Sequence, residues 1–201
     1  METALIAVIV GTVPEAVKLG PVCRALATHW RAFRMQVIMS GQHQDRVAGI
    51  LRLFGIQADE NLDKQIHGRG LPSMASALLN SLAAAFREVT PNLVVVQGDT
   101  TTALTGALAA FYEGFPVAHV EAGLTTGNVA QPFPEELHRE VVRVSGAVRG
   151  HPAGESWSRC IAGKTTAIVL RRLAKPLRGW RLTAPTPRSS MSGTIIQGYR
   201  H

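Results

Sequence analysis

Four short, largely apolar stretches separated by helical ones constrain this chain more than any other feature. They are Ala4 to Val10 (ALIAVIV), Met35 to Ser40 (MQVIMS), Leu93 to Gln97 (LVVVQ) and Pro116 to Val120. A strand with one wet face alternates apolar and polar residues. The uninterrupted run Ala4 to Val10 means burial on both faces, as in a parallel sheet covered by helices. The segments between the runs supply those helices. Gly11 and Thr12 turn the chain, Pro14 fits the first helical position, and Glu15 in the first turn suits the helix dipole. Ala16, Val17, Leu19, Val22, Cys23 and Leu26 then form a stripe at helical spacing. Asp45 to Phe54 reads as a helix stopped by Gly55, Leu71 to Val89 as a long helix, and Thr100 to Tyr112 as a helix ended by Gly114. Asn61 to Gly70 is polar and reads as a loop. Strands alternating with helices imply right-handed crossovers. The expected fold class is α/β: a doubly wound, Rossmann-like parallel sheet with flanking helices, through about residue 125.

Charge divides the chain. Residues 1–142 carry 10 Lys and Arg against 13 Asp and Glu, whereas residues 143–201 carry 11 against a single acid, Glu155. The pI of about 10.2 therefore describes the tail rather than the globular part. We expect a folded domain over 1–142 and a basic Gly/Arg/Ser/Pro-rich tail over 143–201 that is poorly ordered. Such a tail binds polyanions weakly and non-specifically, and Trp157 and Trp180 offer rings for stacking on bases. Ala162-Gly163-Lys164-Thr165 looks like the end of a phosphate-binding loop. That loop needs a glycine where Ser158 stands, and no strand leads into it. Cys23 and Cys160 form neither a metal nor a disulfide pattern; Cys23 reads as core. Met1 to Val10 lacks the basic start and cleavage site of a signal peptide. No apolar stretch approaches a membrane span. The expected compartment is the cytoplasm.

The chemistry concentrates between Gly98 and Gly127 (GDTTTALTGALAAFYEGFPVAHVEAGLTTG). Asp99 and Glu121 each follow an apolar run, and strand ends of open α/β sheets are where ligands and catalytic groups gather. The segment PFPEELHR, Pro132 to Arg139, adds Glu135 and Glu136. Carboxylates at successive strand ends suit removal and return of a proton on a sugar-like substrate. Each has a plainer reading. Asp99 could cap the helix after it. Glu121 has no capping motif around it, and His119, two residues earlier on the strand, would share its face; His119 reads better as a satisfied strand histidine than as a base. Glu135 and Glu136 could be simple first-turn acids after Pro134, with Glu136 a surface charge. Gly11, Thr12, Pro14 and Glu15 form a strand-to-helix turn whose N–H groups suit a phosphate, or an ordinary tight turn. Lys18 faces either the same cleft or solvent. Thr100 follows Asp99 and is a candidate for binding the substrate, and Gln42 and His43 end the second strand.

Taken together, GTVPEAVKLGPVCRAL, SGQH, QGDTTTALTGALAAFY, VAHVEAGLTTG and PFPEELHR closely resemble the non-hydrolysing UDP-N-acetylglucosamine 2-epimerases, over about residues 4–142. The resemblance implies two Rossmann-like domains of the glycosyltransferase-B type, with the active site between them. It implies interconversion of UDP-GlcNAc and UDP-ManNAc. UDP is eliminated with loss of the C2 proton, giving 2-acetamidoglucal, and is added back with inversion at C2. It makes Asp99, Glu121 and Glu135 the catalytic carboxylates and Gln42 and His43 substrate-binding candidates, from a region that in some bacterial members contributes to a second, allosteric UDP-GlcNAc site. It implies no metal or nicotinamide cofactor, and commonly a homodimer.

Three departures bear on activity. The family reads GTRPE where this chain has Val13, and EAGLRTG where it has Thr125. Neither side chain can make a charged contact to phosphate or carboxylate. Nothing after Arg143 matches the family's second domain, which supplies most UDP contacts and a catalytic histidine. The abrupt change of composition there points to a frameshift product or gene remnant. The rival expectation is therefore a catalytically inactive fragment, at most a dimerising or nucleotide-sugar-binding module. A glycosyltransferase half is disfavoured by PEELHR and EAGL.

Overall fold

In the computed structural model, residues 3–41, 44–62, 70–122 and 124–145 are described. The elements in chain order are β1 (Ala4–Val10), α1 (Val13–Thr28), β2 (Phe33–Met39), α2 (Gln44–Leu53), β3 (Glu60–Asn61), α3 (Leu71–Val89), β4 (Leu93–Gln97), α4 (Thr101–Glu113), β5 (Val117–Val120) and α5 (Glu135–Ser145). The five strands form one sheet in the order β3-β2-β1-β4-β5, with every pairing parallel. β2 and β3 grow outward on one side of β1, and β4 and β5 on the other. The order reverses between β1 and β4, so the crevice beyond their carboxyl ends is the place where such a sheet binds ligands.

Side-chain alternation along β1 explains the double burial. Ile6, Val8 and Val10 pack into a core with Leu19, Cys23 and Leu26 of α1 and Leu51 of α2. Ala7 and Ile9 pack into a second core with Leu78, Leu82 and Phe86 of α3 and Ala107 of α4. Cys23 is buried, as core. α1 and α2 approach so closely that a Cβ on Gly20 would stand 2.3 Å from the Phe54 ring. Among the described residues no helix is long and apolar enough to cross a membrane.

Boundaries differ from the sequence reading in informative places. Thr100 is not the first residue of α4 but its N-cap, with its side chain accepting the Ala103 N–H at 3.0 Å. Asn61 is not loop: it pairs with Met39 in the two-residue strand β3, a length too short to leave a periodic signal. α5 continues past the EELHR motif to Ser145, with His138, Val142 and Ser145 buried and the helix packed on α4. The tail segments singled out in the sequence, Trp157, Trp180 and residues 162–165, lie outside the described residues.

Candidate active site

The carboxyl ends of β1, β4 and β5 open into a cavity of about 510 Å³. The β1–α1 turn contributes Thr12, Pro14, Glu15 and Lys18 to its wall, β4 and the turn after it contribute Gln97, Asp99 and Thr100, and β5 is followed by Glu121. Arg46 of α2 and Arg139 of α5 complete the polar lining. Eight residues named from sequence thus meet here or, in the case of Gly11, directly beneath. Glu135, half-buried at the start of α5, is not part of this lining. Gln42 and His43 lie outside the described residues.

Beneath the cavity, the N–H groups of Gly11 and Thr12 both donate to Glu15 Oε2 at 2.6 Å. The anion in this turn is therefore the chain's own carboxylate, and Thr100 donates its hydroxyl to the other oxygen, Oε1. Burial raises the Glu15 pKa, and the hydrogen bonds from Thr100, Gly11 and Thr12 oppose that rise without cancelling it. No room remains at Gly11 for a side chain: a Cβ would stand 2.2 Å from Thr102 Oγ1 and 2.6 Å from Ser40 Oγ.

Asp99 and Glu121 each face a cation. Arg139 binds Asp99 Oδ2, and Lys18 Nζ lies 2.5 Å from Glu121 Oε2. Gln97 Nε2 donates to the same Glu121 oxygen at 2.6 Å, and Oε1 makes no hydrogen bond to a described residue. Asp99 is not a helix cap; Thr100 holds that position. Glu121 has φ of +66°, a left-handed conformation that costs a non-glycine residue and tends to occur at functional sites. The pleat of β5 ends at Val120, so this turn, not strand alternation with His119, directs Glu121. His119 is buried, with Nε2 2.6 Å from the Gly98 carbonyl oxygen and Nδ1 without a partner among the described residues. Desolvation lowers its pKa, outweighing the Gly98 contact and the nearby charges of Asp99 and Glu121.

Glu136 is not a surface charge. It is fully buried, and its Oε1 accepts the N–H groups of Thr126 at 2.7 Å and Gly127 at 3.0 Å. Arg139 lies 3.2 Å from its Oε2. Burial works against its charge, but the Gly127 and Thr126 N–H groups and the Arg139 guanidinium hold its pKa below the usual carboxylate value. Arg139 also donates to the Leu124 carbonyl at 2.6 Å, so one guanidinium ties α5 to the Asp99 turn and to the loop after β5. Sequence reasoning passed over Arg139 and Gln97. Arg139 follows Glu136 at i+3, a spacing that brings side chains together on a helix, and that signal was available. Among the described residues no group of three or more His, Cys, Asp or Glu is placed to hold a metal.

Residues 25–161 match the family described as UDP-N-acetylglucosamine 2-epimerase. The chain belongs to that family. It is 44% identical over 131 residues to the UDP-N-acetylglucosamine 2-epimerase of Yersinia pestis, covering 65% of this chain and 35% of the relative. Over 129 residues it is 43% identical to the UDP-N-acetylglucosamine 2-epimerase of Escherichia coli K12, covering 64% of this chain and 34% of that protein. Among solved structures, the UDP-GlcNAc 2-epimerase from Neisseria meningitidis bound to UDP-GlcNAc superposes with a TM-score of 0.68 at 36% identity. That match covers 72% of this chain and 38% of the other. The chain thus spans little more than a third of the length of these relatives, and its sheet is of the kind found in one half of a glycosyltransferase-B-like epimerase.

Proposed function

We propose that this chain acts, truncated as it is, as a UDP-N-acetylglucosamine 2-epimerase, with UDP-GlcNAc and UDP-ManNAc as its substrates and the described residues forming the amino-terminal part of the site. The observation that carries the reading is the convergence of Asp99 and Glu121, each beside a cation, in one cavity at the switch point of the sheet. In the reaction a carboxylate takes the proton from C2, the C1–O bond breaks, and UDP leaves with the bonding pair, giving 2-acetamidoglucal. Return of UDP to C1 and of a proton to the opposite face of C2 gives the epimer. The C2 proton is weakly acidic, so a placed base is essential, and cations must meet the charge that grows on the departing diphosphate. Asp99, Glu121 and Glu135 are the proposed carboxylates. Lys18, Thr12, Pro14, Glu15 and Thr100 line the substrate side, Gly11 shapes the turn beneath them, and Gln42 and His43 are further proposed substrate-binding residues. The family-like domain is proposed as residues 1–142, its last helix running on to Ser145, followed by a basic tail, and the protein as a cytoplasmic homodimer.

A second reading has its own support. Val13 and Thr125 replace two arginines of the resembled motifs, and the chain covers only 35% of its Yersinia relative. On that reading it binds nucleotide sugar, or a second copy of itself, without turning substrate over. One experiment separates the two. The purified chain is incubated with UDP-GlcNAc in deuterated water, and C2 is followed by proton NMR. Deuterium at C2, abolished by Asp99→Asn, supports the epimerase. Shift changes on binding without exchange support the binding module, and neither response in a folded sample removes both.

A further inference from the structure

Asp99 lies on the turn that leaves β4, and both carbonyls of the Gly98–Asp99 pair are held by buried histidines from different elements. His119 of β5 brings Nε2 to 2.6 Å from the Gly98 carbonyl oxygen. His138 of α5 brings Nδ1 to 2.8 Å from the Asp99 carbonyl oxygen. A carbonyl only accepts, so each of these ring nitrogens must carry its hydrogen. His119 is then protonated on Nε2 and His138 on Nδ1, opposite choices made by two rings that grip adjacent peptide units. The residues are 1% and 5% exposed, so water cannot replace either bond if it is lost. Gly98 has φ of +71°, so the chain leaves the extended strand there, and its N–H donates to the Val120 carbonyl at 3.0 Å. Arg139, the neighbour of His138, takes the Asp99 carboxylate itself. Backbone and side chain of Asp99 are thus both held from α5, and the preceding carbonyl from β5.

We propose that His119 and His138 are positioning residues that clamp the Gly98–Asp99 turn and so set the direction of the Asp99 carboxylate into the cavity. Neither touches substrate, and the proposal rests on the reading of Asp99 as a reacting group. A plain packing role for the two rings would be indifferent to which ring position carries the donor. That difference makes the clamp testable. The amide nitrogen of Asn overlays Nδ1 of His, and that of Gln overlays Nε2. His119→Gln and His138→Asn therefore keep the donors, whereas His119→Asn and His138→Gln lose them.

The experiment uses the full chain and reads two signals. In the wild type, nitrogen-15 NMR of the imidazoles should find His119 with hydrogen on Nε2 and His138 with hydrogen on Nδ1. In the variants, the carbon-13 signal of the Asp99 carboxyl should stay in place for His119→Gln and His138→Asn. It should move for His119→Asn and His138→Gln. Exchange at C2 of UDP-GlcNAc should fall at least tenfold in that second pair with KM little changed. The opposite ring hydrogen at either histidine overturns the clamp even if a variant does not fold, and so does equal behaviour of the two amides at one position. If the wild type leaves C2 unexchanged, the proposed epimerase falls, while the ring-hydrogen assignments and the Asp99 signal still decide the clamp.

Discussion

Glu15 and Glu136 perform the same task at two corners of the site and reach opposite electrostatic ends. Each is a buried carboxylate accepting two consecutive backbone N–H groups: Gly11 and Thr12 for one, Thr126 and Gly127 for the other. Around Glu15 every partner is neutral, and burial raises its pKa. Glu136 has Arg139 beside it, and its pKa is lowered. A buried carboxylate that only fills N–H groups can hold its proton; one that must also anchor a guanidinium has to stay charged. The β1–α1 turn is thereby a structural plug, and α5 an electrostatic one.

The sharpest way to break this contrast is Arg139→Ala. It leaves Glu136 buried without its cation and frees Asp99 and the Leu124 carbonyl. A loss of about 3 kcal/mol is expected, read as a lower urea midpoint at unchanged m. Next in size is the isosteric pair. Glu136→Gln turns an amide donor toward Arg139 and should lower Tm by less than Arg139→Ala but clearly. Glu15→Gln can accept both N–H groups with its oxygen and donate to Thr100, so a change within about 1 kcal/mol is expected. Equal losses in the two glutamine variants would erase the comparison.

The pH dependence follows with opposite signs. Between its lowered folded pKa and the ordinary value of 4.5, Glu136 binds fewer protons folded than unfolded, so its contribution is lost as pH falls through that window. Between 4.5 and its raised folded pKa, Glu15 binds more protons folded than unfolded, so stability declines as pH rises there. Urea midpoints from pH 3 to 7 should show Glu136→Gln flattening the acid limb and Glu15→Gln the upper one. Thr100→Ala removes the cap of α4 together with the hydroxyl on Glu15, for about 1 kcal/mol. The smallest stability effect is expected for Lys18→Met, below about 1 kcal/mol, because the Lys18 side chain is 43% exposed and that of Glu121 33%. Its larger consequence should fall on substrate turnover.

The contrast also marks what was legible in the chain. The continuous apolar runs of β1 and β4 reveal a parallel sheet because double burial leaves no polar alternation. Asp99 and Glu121 stand out by lying just past such runs. Glu136 was misread as a surface charge because its partners come from residues 126 and 127, an irregular segment with no period that links it to α5. The Gly11 and Thr12 N–H groups read as a phosphate cradle, and their actual partner, Glu15, was named beside them. Sequence identified the donors and the acid but could not show that the acid turns back onto them. Two-residue β3 and the reach of α5 to Ser145 depend on packing against β2 and α4, which no local window contains.

The sheet order has a consequence for synthesis. Of the described strands β1 is made first, and it gains β2 on one side early. Its other neighbour arrives much later: the Leu5 N–H bonds a side chain 87 positions downstream, Asn92. At bacterial-to-eukaryotic translation rates of roughly 5–20 residues per second, that gap is about 4 to 17 s. For that interval the most apolar strand of the nascent chain has one open edge. Until β4 emerges, that edge presents unpaired backbone groups of the kind that template pairing with other chains.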